Sequence, residues 1–73
     1  MIDYSPFWAT LKASPENWYT LVNKRGVNPN TLHRMKIGKG ISTATLDDLC
    51  RILNCRVEDV LLYIPSENPK KAQ

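Results

Sequence analysis

Apolar positions recur along this chain at the three- and four-residue spacing of helices, in short blocks separated by proline, glycine and asparagine. Ser5-Pro6 opens the first block as cap and first helical residue. Phe7, Trp8 and Leu11 follow at helical spacing, which predicts a helix to about Ala13. SPEN, residues 14–17, reads either as a turn ending in Asn17 as N-cap or as the first turn of the next helix, and Asn17 is the favoured start. Trp18, Leu21 and Val22 then form one apolar face, which stops before Gly26. Asn28-Pro29 repeats the cap-plus-proline signal and begins a third helix, with Leu32 and Met35 facing inward and an end near Gly38. Ser42 or Thr43 caps a fourth helix carrying Leu46, Leu49, Cys50 and Leu53, and Asn54 closes it. Val57, Val60, Leu61 and Ile64 predict a fifth helix, which Pro65 cannot continue. No alternating strand pattern, internal repeat or low-complexity tract appears. The expected architecture is all-α: a compact five-helix domain over residues 1–65, followed by a flexible tail over 66–73 that lacks a large apolar anchor.

Composition agrees with one small globular domain. Seventy-three residues suffice for a single modest core, and 42% hydrophobic with 23% charged residues is far from the signature of disorder. No apolar run approaches the roughly 18 residues of a membrane span, and MIDYSPFW lacks the basic-then-apolar order of a signal peptide. A cytoplasmic location is therefore expected. Cys50 and Cys55 match neither a CxxC redox pair nor a zinc pair, and adding His33 still leaves the fourth ligand missing, so reduced thiols and no metal are expected. No nucleophile–base set, paired general acid and base, or phosphate-cradling glycine loop is visible, so neither an enzyme nor a cofactor is expected.

Charge changes the picture more than composition does. The net charge is only +3, but no acidic residue lies between Glu16 and Asp47, whereas Lys24, Arg25, Arg34, Lys36 and Lys39 all do. A basic segment in an otherwise balanced chain points to a polyanionic partner. The same segment contains the sharp turn at Gly26, with Val27 placed to pack beneath it, between two predicted helices. That is the arrangement of a helix-turn-helix. With Leu32 and Met35 inside, the outer face of the third helix carries Pro29, Asn30, His33, Arg34, Lys36 and Ile37. An α-helix fits the major groove of B-DNA, where Arg can bond guanine O6 and N7, and Asn can bond adenine N6 and N7.

The segment WYTLVNKRGVNPNTLHRMKIGKGISTATLDDLCRILNC resembles the Cro and lambda-repressor type of helix-turn-helix domain, the Xre family of bacterial and phage regulators. The likeness extends over roughly residues 6–64, with the best matches in LVNKRGV, NTLHRMKIGK, STATLDDLCRILNC and VEDVLLYIP. It implies a five-helix domain that inserts its third helix into double-stranded operator DNA as a two-fold dimer. On the matching positions it implies base reading by Pro29, Asn30, His33 and Arg34, and phosphate contacts by Asn17, Lys36, Lys39, Ser42 and Thr43. Trp18 departs from the pattern, standing where the family often has a supporting glutamine, and Pro29 offers no backbone N–H at the first reading position.

Ile52, Leu62 and Tyr63 fall off the expected core faces of helices four and five, so they mark a homodimer interface or finish the core. The functional expectation is a sequence-specific DNA-binding transcriptional regulator acting as a repressor. The alternative is a protein-interaction module of antitoxin or antirepressor type on the same fold.

Overall fold

A computed structural model describes residues 1–65. In chain order it comprises β1 (Ile2–Asp3), α1 (Ser5–Ala13), α2 (Trp18–Asn23), α3 (Pro29–Lys36), α4 (Thr43–Leu53), a 3-10 turn over Val57–Asp59, and β2 (Leu62–Tyr63). The described residues are thus mostly helical, with four α-helices and one short sheet. The expected tail, residues 66–73, lies outside them. Among the described residues no helix is long and apolar enough to cross a membrane.

Each helix contributes to one core. Phe7 and Leu11 come from α1, Leu21 from α2, Leu32 and Met35 from α3, and Leu49 from α4; Tyr4 and Val60 complete the buried set. Trp8, Trp18, Val22, Val27, Leu46, Cys50 and Ile52 pack around it half-buried. Local polar bonds fix where the helices begin. Asn17 Oδ1 accepts the Thr20 N–H at 2.9 Å while Thr20 Oγ1 accepts the Asn17 N–H at 2.8 Å, a reciprocal cap that starts α2 at Trp18. Asn28 Oδ1 accepts the Asn30 N–H at 2.8 Å, and Ser42 Oγ accepts the Thr45 N–H at 3.1 Å. The first helix begins one residue earlier than its serine–proline pair implies. Ser5 lies inside α1, whose N-cap position is Tyr4 without a capping side chain, and the Asp3 carboxylate just before it accepts both the Ser5 N–H and the Ser5 hydroxyl.

The expected fifth helix does not form. Only Val57–Asp59 make a helical turn, with Asp59 Oδ2 accepting the Arg56 N–H at 3.1 Å; beyond it the chain extends into β2. There it pairs antiparallel with β1, Ile2 opposite Tyr63 and Asp3 opposite Leu62, and the Ile64 N–H donates to the Met1 carbonyl at 2.7 Å. Two causes act together. Pro65 biases Ile64 toward extended conformations, which leaves too few residues for a stable helix. The Met1–Asp3 backbone then offers the hydrogen bonds that a further turn would have made. Of the four residues expected inside, Val60 is buried and Leu61 half-buried, whereas Val57 and Ile64 are exposed. The turn is anchored to α1, since Phe7 N–H donates to the Val60 carbonyl at 3.1 Å and Thr10 Oγ1 donates to the Asp59 carbonyl at 2.8 Å.

Cys50 and Cys55 are free thiols, half-buried at the end of α4, and burial pushes both above the ordinary thiol range. Each therefore stays protonated at neutral pH.

A salt bridge spans α2. Arg25 donates from Nε and Nη2 to Glu16 Oε2 at 2.9 and 2.6 Å, joining the residue before the cap of α2 to the residue before Gly26. The Arg25 hydrogen bond, helped by one from Thr20, holds the Glu16 carboxyl below its usual range. A carboxylate depressed in the folded state stabilises the fold above its unfolded pKa, and that stabilisation is lost as pH falls through the folded value. Thermal melts from pH 7 down to pH 3 are expected to show a steeper fall for the parent than for Glu16→Gln. Parallel curves would mean that the bridge contributes nothing. Because Arg25 is occupied in this way, the basic charge left free on this side of the domain rests on its neighbours.

Candidate nucleic-acid interface

The α2–α3 corner is built from backbone. Gly26 takes φ +76°, a conformation favoured in glycine, and the next N–H, from Val27, turns inward to donate to the Leu21 carbonyl at 2.9 Å. Val27 is thereby drawn against the core, and Asn28 and Pro29 start α3 two residues after the glycine. At the far end Gly38 takes φ +81°. Its N–H donates to the Met35 carbonyl at 3.1 Å, and the Lys39 N–H donates to the Arg34 carbonyl at 2.8 Å. This paired closure ends α3 sharply. The helix is eight residues long, rooted by Leu32 and Met35, and capped at both ends.

Its outer face is open. Pro29, Asn30, His33, Arg34 and Lys36 are all exposed, and none is covered by another segment of the described chain. Asn30, His33 and Arg34 stand at one-turn spacing on the side opposite Leu32 and Met35. Two contacts tie neighbouring elements to this face. The His33 ring meets Trp18 edge-on, with centroids 5.0 Å apart and planes at 67°, which brings the start of α2, and with it Asn17, beside α3. Arg34 Nη2 donates to the Gly40 carbonyl at 3.1 Å, which brings the loop leading to Ser42 against the other flank. Lys39, Ser42 and Thr43 are exposed on that loop and at the start of α4. Ser42 Oγ is occupied as a cap, and it donates to Thr45 Oγ1 at 3.0 Å.

Two apolar residues shape this face beside its donors. Ile37 is 70% exposed at the end of α3, an apolar group among donors, and a helical wheel places it on the outer face. Trp18 is half-buried and stacked on Trp8, with centroids 6.0 Å apart and planes at 12°. No spacing rule pairs tryptophans from two different helices, so this stack is visible only in three dimensions. Of the three residues proposed for an interface between copies, Ile52 is half-buried against the core, while Leu62 and Tyr63 are 40% and 63% exposed on β2.

An open, basic helix following a glycine corner, flanked by the N-termini of two other helices, defines the DNA-binding helix-turn-helix class. The family model for the Cro/C1-type HTH DNA-binding domain matches residues 7–66, and the chain belongs to that family. Among curated proteins none matches. A solved structure, the crystal structure of the transcriptional regulator VanUg, is similar at a TM-score of 0.77 and 23% identity, covering 89% of this chain and 87% of that one. At that identity the likeness shows the shared fold.

Proposed function

We infer that the protein is a sequence-specific transcriptional regulator that acts as a repressor, occupying operator DNA with α3 in the major groove. The observation that carries this reading is the open face of α3, where Asn30, His33 and Arg34 stand together, in a chain of a DNA-binding family. Pro29, Asn30, His33 and Arg34 face the bases. Pro29 contributes shape alone, and the donors come from the other three. Asn17, Lys36, Lys39, Ser42 and Thr43 contact phosphates on either side, through lysine charge and the helix N-termini at Asn17 and Ser42. Such contacts release counterions, so binding weakens steeply as salt rises. The test is selection of tight binders from a random-sequence duplex pool at moderate salt. A consensus of a few base pairs is the expected result, and a pool that emerges unselected would end the reading.

The working form is a two-fold dimer that sets two α3 helices about 34 Å apart on successive major grooves. The interface we propose for it is the exposed face of β2, a reading supported by the exposure of Leu62 and Tyr63 and of Ile2 and Ile64 beside them; Ile52 is left to the core. Light scattering of the parent is expected to give twice the chain mass. Tyr63→Lys, which puts a charge on that patch, is expected to give the single-chain mass without lowering the melting temperature by more than a few degrees. A parent that is strictly monomeric on DNA would reject the dimer.

A further inference from the structure

We propose that His33 reads the N7 edge of a purine, guanine in preference to adenine, and that Trp18 is the positioning residue that holds its ring for this contact. The proposal rests on the assignment of α3 to the major groove. His33 is exposed, and an exposed side chain normally samples several rotamers, which binding must freeze. Here the ring already has a partner. It sits 5.0 Å from the Trp18 indole at 67°, within the edge-to-face arrangement that aromatic rings favour.

Trp18 in turn is held from behind. It stacks on Trp8 at 6.0 Å and 12°, and Trp8 meets Phe7 at 4.8 Å and 76°. Phe7 is fully buried. Four rings from α1, α2 and α3 therefore form a column that starts in the core and ends at the surface of α3. The neighbouring Arg34 is held differently, tethered through one N–H to the Gly40 carbonyl. The column places an imidazole, a group with a ring N–H donor, at a fixed point on the outer face of α3. In the major groove that donor finds N7 and O6 together on guanine, whereas adenine sets its N7 beside an N6 donor that repels it. The position that sequence comparison leaves as a departure, tryptophan at the start of α2, thus gains a role in orienting a reader on α3.

The experiment measures base preference at each position of the selected site for the parent, His33→Ala, Trp18→Phe, Trp18→Leu and the double variant Trp18→Leu/His33→Ala. Thermal melts run alongside. His33→Ala is expected to lower the preference for guanine at one position about tenfold, the scale of one lost hydrogen bond. Trp18→Leu, which fills space without a ring, is expected to lower the same preference by a similar factor while leaving the other positions and random-sequence affinity unchanged. Trp18→Phe keeps most of it, and the double variant is no worse than His33→Ala. Replacing that guanine with 7-deazaguanine should match the His33→Ala loss. In the free protein, nuclear Overhauser contacts between the His33 and Trp18 rings are expected, and Trp18→Phe should keep a ring contact of the same kind. The proposal is overturned if Trp18→Leu leaves the preference intact or depresses all positions equally, if Trp18→Phe is as damaging as Trp18→Leu, or if 7-deazaguanine has no effect. A parent that selects no sequence at all sinks the groove assignment itself, while a parent that selects normally beside indifferent Trp18 variants sinks only the brace.

Discussion

Phe7→Ala is expected to leave the domain largely unfolded at 37 °C. Phe7 is fully buried, and its ring meets Trp8 at 4.8 Å. Truncating a buried phenylalanine costs about 3 to 5 kcal/mol, part of it lost transfer energy and part the cavity left behind. A domain of this size is stable by only about 3 to 10 kcal/mol in total, so one ring accounts for a large share. The melting temperature, followed by far-ultraviolet circular dichroism, should fall by roughly 12 to 40 °C at about 4 to 8 °C per kcal/mol. Tyr19→Ala is the control. That tyrosine is 65% exposed on α2, and its loss should cost about 0.5 kcal/mol or less. Equal melting of the two variants would mean that the core is not centred where α1, α2, α3 and α4 converge on Phe7.

The parts of this fold that could be read from the chain are those set by local chemistry. Asn17, Asn28 and Ser42 bond to backbone N–H groups two or three residues ahead, so their positions in sequence are also their positions in space. Gly26 and Gly38 end helices because their own φ is positive, and Leu32 and Met35 face inward because helical periodicity puts them there. What could not be read depends on distant partners. Val57, Val60, Leu61 and Ile64 have perfect helical spacing, but the choice between helix and strand was made by Met1–Asp3, more than fifty residues away, and by Pro65. A two-residue strand is too short to show alternation. The same limit applies to the candidate site: its exposed donors follow from the wheel of α3, whereas the Trp8–Trp18–His33 column and the Arg25–Glu16 bridge join elements that no periodicity relates.

The second large effect is expected from Arg34, and its form matters more than its size. Arg34 is exposed on the outer face of α3, and one Nη2–H donates to Gly40, which steadies the guanidinium and leaves most of its five donors free. With α3 in the major groove as proposed, it bonds the O6 and N7 of a guanine together, a contact that discriminates by about 1 to 3 kcal/mol, or roughly 5- to 150-fold. Arg34→Ala should therefore lose affinity for the selected site by that factor and lose preference at one base pair, while its affinity for random duplex changes little. Arg34→Lys is not a conservative rescue, because an ammonium lacks the planar fork. Lys39 is expected to behave in the opposite way. It is exposed just beyond the closure of α3, and the proposed docking sets it against phosphate rather than base. Lys39→Ala should weaken selected and random duplexes equally and make the slope of log K against log salt shallower by about 0.9, one phosphate contact. Titrations of both variants against both duplexes at three salt concentrations separate the two patterns. If Arg34→Ala weakens every duplex alike, Arg34 is a phosphate contact and the register of α3 in the groove must be shifted toward Asn30 and His33.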